Sequence, residues 1–217
     1  MKSKQIYSAF FLACILGLFS CTEMTFEEGL LKPTTDTELE VSVFNDEGMI
    51  VETTSFTAPK GTPSSSIESR GNKNQIATGD YQTISGNEYL FSAIENKGGV
   101  HGEWDIKAIW GSYKLETICV STNEEDGTAM VAGIVTEVFA PGILELDYIV
   151  FFRVKDNGEG ANSAPDQTSR LLVFFRNYRQ NYGTLENFLA NINCANPSYV
   201  ANILGPYEDR IGQIQVK

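Results

Sequence analysis

The thirty residues from Asp147 to Arg176, DYIVFFRVKDNGEGANSAPDQTSRLLVFFR, leave few folds open to this chain. Two runs of aromatic and β-branched residues flank a polar loop that holds Asp156, Asn157, Gly158, Glu159, Gly160, Pro165 and Asp166. Runs of that composition, bounded by Gly, Asn, Asp and Pro, read as two antiparallel strands joined by a long hairpin loop. Side chains alternate along a strand, so Leu146, Tyr148, Val150, Phe152 and Val154 share one face. Arg153 and Lys155 fall on the other face, after the apolar Ile149 and Phe151. One face therefore belongs to a core, and the second is partly covered.

The pattern extends upstream. Ile76–Ile84, Glu88–Ile94, Val100–Trp110, Tyr113–Ser121 and Thr128–Phe139 are each bounded by turn residues, among them Ser85-Gly86-Asn87, Gly98-Gly99, Gly111-Ser112 and Asp126-Gly127. Strands at this spacing, with few helical patterns between them, predict an all-β fold, an antiparallel sandwich or barrel. Gly102 and Gly133 interrupt strand patterns, where glycine often marks a bulge. One late amphipathic helix is expected at about 184–193. Thr184 is a suitable N-cap, and Leu185, Phe188, Leu189 and Ile192 form one apolar stripe. A second helical turn over Pro197–Leu204 and a closing strand over Ile211–Val216 complete the domain.

Residues 75–217 are thus read as the all-β domain, independent of what precedes it. Before it lie a short hairpin over 39–56, turning at Asn45-Asp46-Glu47-Gly48, and a Pro/Ser/Gly-rich linker over 57–74. Two strands alone are marginally stable, so the hairpin either docks on the domain or stays loosely ordered. Residues 21–38 are polar and acidic and suit a tether.

Residues 1–20 have the layout of an export signal: Lys2 and Lys4 ahead of an apolar run from Ile6 to Phe19. The run is too short for a confident membrane span. It ends in Leu18-Phe19-Ser20-Cys21, which resembles a bacterial lipobox; the resemblance implies cleavage before Cys21 and lipidation of its thiol. The alternative is an ordinary secretory signal with an incidental cysteine. Cys14 leaves with the leader, so Cys119 and Cys194 remain in the folded part. In an oxidising compartment they are candidates for one disulfide, against two separately buried thiols.

Further along, YLFSAIENKGGVHGEWDI, the Cys119 strand with TAMVAGIV, FFRVKDNGEG with PDQTS, and Cys194 with GQIQV occur in that order. Together they resemble a family of secreted and lipid-anchored bacterial β-domains, of the kind carried by Bacteroidota-like lipoproteins, whose activity is uncharacterised. The resemblance spans about Ile76 to Lys217. It implies a cell-envelope location, the outer membrane being the expected one, with a periplasmic or surface-facing domain. It brings no catalytic residues.

The formal charge is −12, and −14 once Lys2 and Lys4 are removed with the leader. That disfavours nucleic acid, which needs clustered Lys and Arg. The expected partners are the membrane, through lipid on Cys21, and an envelope or surface component. His101 is the sole histidine, and Glu103 follows two residues on, facing the same side. No nucleophile motif or zinc ligand set accompanies it, so a structural His is the simpler reading. Trp104 and Trp110 share the face of Ile106 and Ala108, which points to core packing ahead of a sugar platform. Among cofactors only Ca²⁺ has a candidate set, Asp156, Asn157, Glu159 and Asp166, because Ca²⁺ takes six to eight oxygens from a loop. Gly falls at the wrong place for an EF-hand, and the same residues make ordinary turns. Two functions follow: a non-enzymatic binding or structural domain, or an envelope glycan hydrolase using two carboxylates about 5–10 Å apart.

Overall fold

The computed structural model describes residues 38–57, 74–159, 163–195, 200 and 202–217. The expected leader, Cys21, all but the end of the tether, the linker over 58–73 and half of the expected turn over 197–204 lie outside the described residues. Strands β1 (Glu38–Phe44), β2 (Ile50–Thr57), β3 (Gln75–Gln82), β4 (Glu88–Asn96), β5 (Gly99–His101), β6 (Glu103–Ala108), β7 (Gly111–Asn123) and β8 (Thr128–Ala140) come first. Then follow β9 (Ile149–Lys155), β10 (Gln167–Thr168), β11 (Leu171–Phe174), helices α1 (Tyr178–Tyr182) and α2 (Leu185–Asn191), β12 (Glu208–Asp209) and β13 (Ile211–Val216). The fold is antiparallel all-β, as the strand spacing predicts; α2 is the expected late helix, and α1 is a second short one ahead of it.

The strands pair in the order β13-β3-β4-β6-β7-β8-β9-β11-β1-β2. The sheet also curls back on itself. β10 pairs with β9 on one side and β12 on the other, and β12 runs through Arg210 into β13. The curled interior is filled by rings. Phe91, Trp104 and Phe152 meet edge to face at 5.0–6.4 Å, and Tyr81 stacks on Tyr89 at 5.0 Å. Such contacts add about 0.5–1.5 kcal/mol each beyond the burial of area. Val150, Phe152 and Val154 of β9 belong to this cluster, while Ile149 and Phe151 point to a second one outside. There Phe174, Tyr178 and Phe188 pack under α1 and α2. Thr184 caps α2 by accepting from the Asn187 N–H, and Phe188 of its stripe is fully buried.

Gly102 ends β5 at φ +138°, and a Cβ there would lie 2.0 Å from the Ser92 carbonyl oxygen, so the expected single strand over Val100–Trp110 breaks in two. A register shift lies between Thr117 and Cys119, opposite Gly133 and Ala132. Before it Tyr113 and Leu115 face the interior; after it Val120 does. The shift turns Ile118 and Cys119 outward together, toward the helices.

The hairpin over 39–56 docks, and the domain does not begin at Gln75. β1 pairs with β11 from Val41↔Phe174 to Phe44↔Leu171, and Leu39, Val41 and Val43 are buried in the outer cluster. Its turn closes one end of the curled sheet. The Asp46 carboxylate meets the Arg210 guanidinium at 2.7 and 3.2 Å, with the Arg210 side chain 2% and the Asp46 side chain 18% exposed. The Asp46 carbonyl accepts from the Trp110 indole at 3.0 Å and from the Asn87 amide. Gly48, at φ +73°, lies so close to Trp110 that a Cβ would sit 2.5 Å from the ring. Sequence reading missed this because the pairing spans 164 positions.

Asp46→Asn leaves the buried guanidinium with the longer contact to Glu208, at 3.4 Å, as its remaining counter-charge among the described residues, and breaking such a pair on one side costs about 3–5 kcal/mol. Chemical denaturation should show a loss of that size, and Asp46→Leu with Arg210→Met should restore part of it. A neutral single variant would mean that the turn is not seated as described.

Burial pushes the phenols of Tyr81 and Tyr89 well above the ordinary value of 10.0, and the charge of nearby Arg210 offsets only part of that. A group whose folded pKa is raised stabilises the fold fully below its unfolded pKa and loses that contribution as pH rises through the folded value. Stability should therefore fall as pH climbs above about 10, the unfolded tyrosine value. Phenolate absorbance from these two rings should appear together with loss of the near-ultraviolet circular dichroism, and not before it.

Candidate functional site

The acidic loop after β9 is where the sequence concentrates oxygen ligands, and the structure gives each of the four a backbone or side-chain partner. Asp166 is buried; its Oδ1 accepts from the Asn157 N–H at 2.9 Å and its Oδ2 from the Ile214 N–H at 2.7 Å. Asp156 accepts from the Gly158 N–H at 2.7 Å and the Val216 N–H at 3.1 Å. The Asn157 amide donates to the Pro165 carbonyl, and Glu159 accepts from the Gln215 amide at 3.1 Å. These bonds tie β13, on the side away from β3, to the end of β9 where the regular ladder runs out. Among the described residues no group of three His, Cys, Asp or Glu side chains is placed to hold a metal ion.

The other candidates are dispersed. His101 and Glu103 are both exposed, and no hydrogen bond or ion pair joins them among the described residues. Trp104 is buried in the interior cluster with its indole N–H on the Thr117 hydroxyl at 3.0 Å. Trp110 is buried against the hairpin turn. Both are core residues. Asp46 and Glu208 converge on Arg210, at 2.7 and 3.4 Å, and Glu208 also meets Arg170 at 3.3 Å. A guanidinium fills the space between these two carboxylates where hydrolysis would need water and a sugar ring.

Cys119 and Cys194 form a disulfide, with Cα atoms 5.8 Å apart. The bond pins the segment after α2 to the outward-turned residue of β7. It also makes one wall of a cleft of about 650 Å³ on the outer face of the sheet, where the helical cover stops. Its floor is a row across three strands, Ser121 beside Met130 beside Arg153, with Asn123 and Thr128 in the next row but one along. Tyr207, Cys194 and Ala195 also line it.

Among the described residues Arg153 is the cation of this cleft and Asp126 its carboxylate. Its guanidinium lies 4.8 Å from the centre of the Tyr207 ring, a cation–π contact, and its Nη2 donates to the Gly205 carbonyl at 2.5 Å. Its Nε is buried and has no hydrogen-bond partner among the described residues. Burial raises the Tyr207 phenol above its ordinary value, with Arg153 opposing and Asp126 adding to the shift. Sequence reading had placed Arg153 on the half-covered face of β9 and gone no further. The available signal was a cation inside the aromatic run YIVFFRV. No protein-family model, curated protein or solved structure matches the chain.

Removing the Asp166 carboxylate strips acceptors from two backbone N–H groups at once. Asp166→Ala should cost about 3–6 kcal/mol, since hydrogen bonds to a charged acceptor contribute about 1.5–3 kcal/mol each. The same loss is expected in thermal or urea unfolding with a metal chelator present, because the partners are amides of β13. A loss seen only with Ca²⁺ in the buffer would assign the loop to the cation instead.

Proposed function

We propose that this is a lipid-anchored cell-envelope protein whose all-β domain binds an envelope or surface component without transforming it. The observation that carries this reading is how the polar residues are divided between two tasks. Asp46, Asp156, Asp166 and Glu208, the carboxylates a hydrolase would recruit, accept structural hydrogen bonds or ion pairs. The open concavity instead gathers hydroxyls, an amide, Arg153 and, among the described residues, one carboxylate, Asp126, where glycan hydrolysis needs two. An interior filled by Phe91, Trp104 and Phe152 also favours recognition on the outer face over a ligand held inside.

The location rests on the leader and on Leu18-Phe19-Ser20-Cys21. Lipid on Cys21 gives the membrane as first partner. Among the described residues no helix is long and apolar enough to cross a membrane. Two acyl chains supply stable anchoring where one would be marginal.

Cys21→Ser should move the protein from the membrane fraction to the soluble exported fraction of cells that make it. Labelled fatty acid should enter the wild type and not the variant. Membrane-bound Cys21→Ser protein with its leader uncleaved would replace the lipid anchor by a membrane span.

A further inference from the structure

We infer that the cleft beside Arg153 binds a sugar acid: the guanidinium takes the carboxylate, and side chains of β7 and β8 take the ring hydroxyls. The inference rests on the reading of this domain as a binding module and names its ligand class. It begins with an imbalance of charge. Arg170, Arg176, Arg179 and Arg210 each face a carboxylate, at 3.3, 3.2, 3.0 and 2.7 Å. Arg153 pairs with none among the described residues, in a chain of net charge −12 where acids outnumber bases 28 to 16.

Its surroundings hold it ready for an anion. Stacking over Tyr207 and the bond to the Gly205 carbonyl fix the plane of the guanidinium, so little side-chain entropy remains to be lost when a ligand arrives. The Nε–H is buried with no acceptor among the described residues, a deficit that buried donors in folded proteins rarely carry. An incoming carboxylate is met by the terminal N–H groups of the guanidinium that the Gly205 carbonyl leaves over, while the buried Nε stays behind them.

The rest of the cleft selects what the carboxylate is attached to. Ser121, Thr122, Thr128 and Asn123 offer hydroxyl and amide groups, and Met130 with Ala195 offers an apolar patch for the C–H face of a ring. Asp126 already accepts from the Thr128 N–H and hydroxyl through Oδ1, leaving its other oxygen for a ligand hydroxyl. That same negative charge opposes a doubly charged phosphate more than a singly charged carboxylate. About 650 Å³ falls within the range of small-ligand sites, roughly 300–1,000 Å³.

Calorimetric titration of the purified full-length chain in mild detergent tests the assignment, with D-glucuronate, D-glucose, acetate and inorganic phosphate as probes. Glucuronate should bind in the millimolar range, and glucose and acetate each at least about tenfold more weakly. Arg153→Gln should remove the glucuronate signal. Should that variant fail to fold, Ser121→Ala and Thr128→Val are expected to weaken glucuronate while leaving acetate unchanged. No glucuronate binding, equal binding by wild type and Arg153→Gln, or tighter binding of phosphate than of glucuronate would each overturn the proposal. The anchor stands apart from this result: a chain released by Cys21→Ser that ignores glucuronate loses its ligand class and keeps its location, and a chain that binds glucuronate with its leader uncleaved does the reverse.

Discussion

The contact between Asp46 and Arg210 ties the first strands of the domain to the last. A carboxylate in the turn of the N-terminal hairpin and a guanidinium between β12 and β13 meet at 2.7 Å, 164 residues apart, at one end of the curled sheet. Taking two charges out of water is costly, and such a pair contributes little net stability compared with an apolar substitute. What it does contribute is position. The guanidinium is further held by the Thr168 hydroxyl at 2.6 Å and by Glu208, so the turn seats in one place only. The Asp46 carbonyl then collects Trp110 and Asn87, and the hairpin becomes the plug of the sheet's open end.

The opposite problem, a seam where strand pairing runs short, is solved with the same residue type. β10 and β12 pair over two residues, too few to close the sheet alone. Asp166 and Asp156 take over along β13, accepting from alternate N–H groups that a neighbouring strand would otherwise bond. Buried or half-buried backbone donors need acceptors, and a carboxylate supplies a strong one. A run of acids and amides that resembles a cation loop in one dimension is therefore a backbone clasp in three. The distinction lies in β13, which approaches from 48 to 60 residues away.

The helical layer and the disulfide define what remains open. Helices α1 and α2 cover Ile149, Phe151, Leu172 and Phe174 on the outer face, and the Cys119–Cys194 bond ends that cover above β7. Beyond it the same face is polar and concave. The Arg153 side chain lies one alternation past Phe151, where the apolar surface stops. A loop of that length closed by a disulfide removes about 4–5 kcal/mol of chain entropy from the unfolded state. The cleft wall is thus among the better-fixed parts of a segment that otherwise has one short helix to hold it.

Much of this was legible in one dimension. Alternation along Ile149–Lys155, turn residues between the strands, the cap at Thr184 and the apolar stripe after it each depend on residues within a few positions of one another. They set the all-β class, most strand positions and the late helix. The pairing of Cys119 with Cys194 was accessible by counting cysteines. How Cys119 comes to face Cys194 was not, because strict alternation puts Cys119 beside Leu115 in the interior, and only the register shift opposite Gly133 turns it out. Arg153 likewise shows in the sequence as a residue on a half-covered face. Its lack of a carboxylate, its stacking on Tyr207 and the cleft around it depend on chain segments 52 and 54 residues further on. Local periodicity is written in neighbouring residues, whereas bulges, plugs and unpaired charges are decided by which distant segments pack together, and only the tertiary structure holds that information.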